Sequence, residues 1–179
     1  GFAPLPATAE RAWLAQAMAR DPRLSDYALV RGGSEVEGAP AWGGGQPLLD
    51  AVLAARDWVG ENASEPVEGD VDDGSAAGAR VLELLEIVRG WGVPARYVAG
   101  FEDVEGEGGG REGLHVWCEV LVPGAGWRGF DPLYGLVVND HYVAVSVGRD
   151  AGDAPLLRQV VQGGVADPAS LRLQLSRQE

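Results

Sequence analysis

The sequence predicts an α+β domain in which N-terminal helices pack on an antiparallel β-sheet. Three observations carry that expectation. Apolar residues recur at helical spacing through the first half of the chain and at a spacing of two from about residue 94 onward. Gly, Pro and Asp clusters separate the later segments, as hairpins require. Helices first and strands afterwards is the order of an α+β fold, not of alternating βαβ units. At 179 residues the chain fits one domain over 1–179, large enough to bury most of its apolar surface without staples.

Each element has a local reason. Thr8 is placed to cap a first helix, AERAWLAQAMAR, with Trp13, Leu14, Ala17 and Met18 along one face. The stretch 21–46, studded with Gly, Pro and Ser, reads as a long loop with little regular structure, so 1–47 is a helix plus a loop. Pro47 suits the first turn of a second helix, PLLDAVLAARDWVGEN, which buries Leu48, Leu49, Val52, Leu53 and Val59. A third helix, GSAAGARVLELLEIVRGWG, carries Val81, Leu84, Leu85 and Val88 inward and Glu83, Glu86 and Arg89 outward, with Gly92 and Pro94 ending it. Trp58 and Trp91 fall on helical faces and read as core. Six strands follow: PARYVAGFED, LHVWCEVLVP, GWRGFDP, HYVAVSVGRD, LRQVVQGG and SLRLQLSRQ. The Gly-rich EGEGGGREG between the first two reads as a hairpin tip, because it lacks the Lys and the strand-to-helix setting of a phosphate loop.

Composition narrows the function. A formal charge of −13 argues against nucleic acid, whose phosphates need a basic footprint. Much of the acidity lies in two runs, 61–73 and 102–113. They read either as solvated loops or as the rim of a cleft that repels acidic ligands and favours cationic ones such as lysine side chains. No apolar run is long enough for a bilayer span, so a membrane-embedded form is not expected. The opening, GFAPLPATAERAW, lacks the basic and apolar regions of a signal peptide and starts with Gly rather than Met, which fits an excised domain or a tag remnant. One cysteine forbids an internal disulfide and agrees with a reducing, cytoplasmic setting. Two histidines without suitably spaced cysteines do not make a zinc site, and no metal or cofactor is expected. Nothing in the pattern specifies an oligomer.

Chemistry concentrates in GLHVWCEVLVPGAGWRGFDP, residues 113–132, which places His115, Cys118 and Asp131 on what should be adjacent strands. Strand alternation separates the first two. Three positions apart, His115 and Cys118 leave opposite faces, so the imidazole cannot take the thiol proton. Flanked by Val116 and Val120, Cys118 reads as a small core residue. A PGAG turn, in contrast, can fold Asp131 back beside His115, where a carboxylate would fix the imidazole tautomer. The spacing alone leaves two readings open, a catalytic pair or a surface His beside a turn Asp. Trp117 and Trp127 flank the pair and read as core or cleft shielding, with substrate contact as the alternative. For His141 the sequence offers no role beyond a polar edge contact.

From about Leu48 to Gly164 the chain resembles the transglutaminase-like domains of the papain-like cysteine-protease superfamily, in particular bacterial members. The resemblance rests on RGWGVPARYVAGF, LHVWCEVLVPGAGWRGFDPLYG and VNDHYVAVSVGRDAGDAPLLRQVVQGG. It implies a nucleophile at the start of a helix packed on an antiparallel sheet. It also implies a Cys–His–Asp triad, with His115 and Asp131 at the histidine and aspartate positions. The family's cysteine lies about fifteen residues before the glycine that ends its helix. That glycine is Gly92 here, and the nucleophile position falls on Ala77. The residues after it, Gly78, Ala79 and Arg80, depart from the polar, aromatic-containing run usual in the family, and the preceding EPVEGDVDDG looks shortened.

Alanine keeps such a helix and removes the chemistry, since a methyl group cannot attack a carbonyl. Three explanations compete. An engineered replacement would leave the neighbours family-like, and they are not. Ser75 could serve as nucleophile, but it lies two positions away, and its hydroxyl also suits a helix cap. Natural loss of catalysis is the reading the sequence favours: a pseudoenzyme that binds a peptide or amide ligand or a protein partner.

Overall fold

The structure, a computed structural model, describes residues 7–30, 36–62, 73–104 and 111–155, with side chains at all of these except 73–76, 103–104 and 111–113. Helices come first: α1 (Ala7–Arg20), α2 (Arg23–Ala28), α3 (Leu48–Asn62) and α4 (Asp73–Gly90). Strands follow as β1 (Ala95–Val104), β2 (Arg111–Val122), β3 (Gly126–Asp131), β4 (Leu136–Val137) and β5 (Tyr142–Gly148). They form one sheet in the order β4-β3-β2-β1-β5, and every described pairing is antiparallel. The fold is therefore α+β, helices before an antiparallel sheet. The strands expected over 157–164 and 170–178 lie outside the described residues.

Packing follows the two periodicities. Helix α4 turns Ala77, Val81, Leu84, Leu85 and Val88 onto the sheet, and β1 and β2 answer with Ala95, Tyr97, Ala99, Val116, Cys118 and Val120. Helix α3 closes the core with Leu48, Ala51, Val52, Ala55 and Val59. Leu49, Leu53, Trp58 and Trp91 are partly buried against it. Helix α4 stops in a Schellman turn. Val93 N–H bonds the Val88 carbonyl at 3.4 Å and Gly92 N–H bonds that of Arg89 at 2.8 Å, with Gly92 at φ 76°. Between β2 and β3, Ala125 N–H bonds the Val122 carbonyl at 3.0 Å around Pro123-Gly124, and Gly124 takes the left-handed φ of 76° that a type II turn needs.

Several sequence expectations are corrected. The stretch 21–46 is not an unbroken loop, since Arg23–Ala28 forms helix α2. Asp21 stands before that helix and pairs with Arg23 at 2.9 Å, a local support that a count of turn residues overlooks. Helix α1 already includes Ala7, so Thr8 lies inside it rather than capping it, and Trp13 is 37% exposed instead of lining the core. In place of Trp13, Glu10 is buried, and its carboxylate accepts the Leu48 N–H at 2.7 Å, one of the amides left unpaired at the start of α3. Helix α4 opens at Asp73, which puts Ser75 inside the first turn and removes it from the capping position. Arg89, expected to face water, is buried: its guanidinium donates to the carbonyls of Tyr27 (3.0 Å), Ala95 (2.8 Å) and Arg149 (2.6 Å), joining three separate segments. No described helix is long and apolar enough to cross a membrane.

Candidate functional site

Strand β2 is two-sided. Val116, Cys118 and Val120 point to the helices, so His115 and Trp117 stand on the opposite face. The register Cys118↔Phe130 sets Phe130 in the core beside the thiol and turns Asp131, one residue later, to the face of His115. There His115 Nε2 lies 2.6 Å from Asp131 Oδ2. Asp131 is fully buried and His115 is 6% exposed.

All the acceptor capacity used on Asp131 is accounted for by four donors. Oδ1 accepts the backbone N–H groups of Leu133 (2.9 Å) and Tyr134 (3.2 Å), an Asx turn at the end of β3. Oδ2 accepts the Tyr142 hydroxyl at 2.9 Å in addition to the imidazole. A carboxylate only accepts, so the bonded imidazole nitrogen, Nε2, carries a proton, which leaves Nδ1 as the ring nitrogen facing elsewhere. Three aromatic rings hold the imidazole: Tyr134 stacked at 5.0 Å, Trp117 stacked at 6.5 Å and Tyr142 tilted at 6.0 Å. Burial, and after it the negative charge of Asp131, pushes the Tyr142 phenol well above the usual tyrosine range, so it remains a donor. Trp117 is 1% exposed, and its indole N–H has no hydrogen-bond partner among the described residues.

The remaining expected site residues lie elsewhere. Ala77 is fully buried within the helix-side core, and no hydrogen bond or ring contact links α4 to His115 among the described residues. Ser75 is helical in its backbone, but its side chain falls outside the described residues. Trp127 joins neither His115 nor Asp131 through a ring contact or hydrogen bond. It meets Tyr27 edge-on at 5.8 Å and lies beneath the Arg96 guanidinium at 4.1 Å, which in turn pairs with Glu119 at 2.6 Å. Cys118 is fully buried, and desolvation pushes its thiol far above the ordinary range. His141 makes a backbone bond to the Asn139 side chain at 2.9 Å, and its ring lies 4.0 Å from Asp140. Among the described residues, no group of three or more His, Cys, Asp or Glu is placed to hold a metal.

Tyr134 and Tyr142 are the site residues that sequence reasoning missed. Tyr134 could have been found, because it is third after Asp131 in a turn that aspartate organises. Tyr142 carried no local signal. Its place on the His115 face depends on β5 pairing with β1, a contact between distant segments.

Comparison with known proteins agrees with this architecture. The profile of the Transglutaminase-like superfamily matches residues 41–132. A protein of Mycobacterium leprae (strain TN), named only as uncharacterized, is 27% identical over 103 residues, covering 52% of this chain and 34% of its own length. Uncharacterized proteins of Mycobacterium bovis and Mycobacterium tuberculosis (strain H37Rv) are each 27% identical over 142 residues, covering 69% of this chain and 45% of theirs. The chain thus spans less than half the length of these curated relatives. Among solved structures, a proposed cysteine protease from Cytophaga hutchinsonii is similar at a TM-score of 0.49 and 24% identity, over 62% of this chain and 40% of that one. With half the chain matched by the family profile, this protein belongs to the Transglutaminase-like superfamily.

Proposed function

We propose that this domain is a pseudoenzyme: a transglutaminase-like scaffold without its nucleophile, which binds a peptide or amide ligand, or a protein partner, beside His115. The observation that carries this reading is the location of the chain's one thiol. Cys118 is fully buried on the helix side of β2, opposite His115, and its thiol is held protonated by burial. A thiolate next to an imidazole is what covalent chemistry of this kind needs. Ala77, at the position the family resemblance assigns to the nucleophile, has only a methyl group. Binding needs less. An imidazole with Nε2–H fixed on Asp131 presents Nδ1 as an acceptor for a ligand N–H, in a setting where the partner carboxylate is already saturated. The single cysteine also supports a reducing, cytoplasmic setting as part of this reading.

The test is activity on peptide and amide substrates, with hydrolysis and acyl transfer to an amine both measured. No turnover above the His115→Ala background is expected. Robust turnover that His115→Ala abolishes would overturn the reading, and its further loss in Ser75→Ala would identify Ser75 as the nucleophile. A gain-of-thiol variant tests the position itself. Ala77→Cys puts a thiol in the same helix-side core as Cys118. Alkylation faster than that of Cys118 would support position 77 as the nucleophile position, and equal or slower reaction would show that the position has been assigned to the wrong residue.

A further inference from the structure

We propose that Tyr142 is a positioning residue for His115, acting through the shared carboxylate of Asp131. It rests on the reading above only in taking the His115–Asp131 pair as the working part of the site. The argument starts from the carboxylate. Oδ1 is committed to two backbone N–H groups, so Oδ2 alone faces the side chains, and it meets two donors, His115 Nε2 at 2.6 Å and the Tyr142 hydroxyl at 2.9 Å. The phenol occupies one acceptor direction of Oδ2 and leaves the imidazole the other. Stacking of Tyr134 and Trp117 sets the plane of the ring, and the Oδ2 bond sets its rotation within that plane. Nδ1 is then the one nitrogen presented to a ligand.

That Tyr142 reaches this oxygen is a property of the whole sheet. Asp131 ends β3 and Tyr142 begins β5, with β2 and β1 between them. Gly100 of β1 is paired with His115 on one side and Ala144 on the other, and so lies on the same face. A Cβ at Gly100 would sit 2.7 Å from Trp117 Cη2, so the bare backbone there makes room for the indole. Trp117 in turn packs edge-on against Tyr142 at 5.4 Å. Among the described residues, the charged and titratable groups that face the phenol are Asp131, His115, Glu102 and Tyr134. Glu102 is its direct partner across β1. With those neighbours and its burial, the phenol keeps its proton, the state that positioning requires.

Nuclear magnetic resonance of the 15N-labelled free protein tests this, and the chain's two histidines make assignment simple, with His141 as internal control. Wild-type His115 is expected as a single Nε2–H tautomer with a slowly exchanging proton. Tyr142→Phe keeps the ring and removes the donor. It should speed exchange of the His115 Nε2 proton about tenfold, the factor that loss of one ordinary hydrogen bond implies, and leave His141 unchanged. A purely structural tyrosine would not move it, because phenylalanine fills the same space. Unchanged exchange in a folded Tyr142→Phe protein would overturn the proposal. So would an Nδ1–H tautomer in the wild type, or a Tyr142 13Cζ signal that titrates in the ordinary tyrosine range, neither of which needs the variant to fold. Turnover abolished by His115→Ala would sink the pseudoenzyme reading and leave this one standing, while unchanged exchange does the reverse.

Discussion

Cys118 lies three strand positions from His115 and Asp131 directly against it, and both are fully buried. Desolvation outweighs the positive charge of Arg89 and raises the thiol's pKa in the folded state. A group raised on folding supports stability fully below its unfolded value, about pH 8.5 for a thiol, and that support is lost as pH climbs toward the folded value. Unfolding free energy should therefore fall above about pH 8.5 by up to about 1.4 kcal/mol per pH unit, with Tyr142 and Tyr97, both raised by burial, adding to the slope from about pH 10. Urea titrations across that range would check it. Cys118→Ala should lower stability overall yet flatten the first part of the slope, and native protein should resist alkylation until unfolded. Asp131 is equally buried, but as a carboxylate that accepts from four donors. Asp131→Ala strands those donors in a dry site and should cost about 3 kcal/mol or more in urea unfolding.

Among the elements, β1 is the one on which the site depends without contributing a reacting group to it. A Cβ at Gly100 would lie 2.0 Å from the Val143 carbonyl oxygen of β5 as well as against Trp117. Backbone cannot yield as a flexible side-chain tip does, so Gly100→Ala should cost at least about 2 kcal/mol and loosen β5. Amide exchange that rises in Tyr142–Gly148 more than in β3 would check where the damage falls. What was legible in the sequence divides along the same line. Periodicity of 3.6 and then 2, together with the PGAG turn, sufficed to place α3, α4, β2 and β3 and to bring Asp131 beside His115, because each depends on neighbours in the chain. Helix α2, the burial of Arg89 and the reach of Tyr142 depend on segments far apart. Arg89 touches carbonyls at Tyr27 and Arg149, and no window along α4 reveals them.

At the scale of the molecule, charge dominates. A net charge of −13 on 179 residues means the compact state repels itself, a penalty that salt screens over distances of about 8 Å at 0.15 M. The midpoint of thermal unfolding should rise between low and physiological ionic strength, and a flat response would show that the acidic runs are already neutralised by local partners. The matched family span, 41–132, looks like the whole enzyme-like core, yet it is tied down from outside. Glu10 supplies the carboxylate that receives the first amide of α3, Arg11 bonds the Trp42 carbonyl, and Arg149 lends its carbonyl to Arg89. A fragment trimmed to the matched span would keep His115 and Asp131 and still have a frayed α3, a half-emptied guanidinium socket and an imidazole without its phenol. The unit that folds is wider than the unit that sequence comparison recognises, so deletion series on this scaffold should be cut beyond α1 and β5, not at the borders of the match.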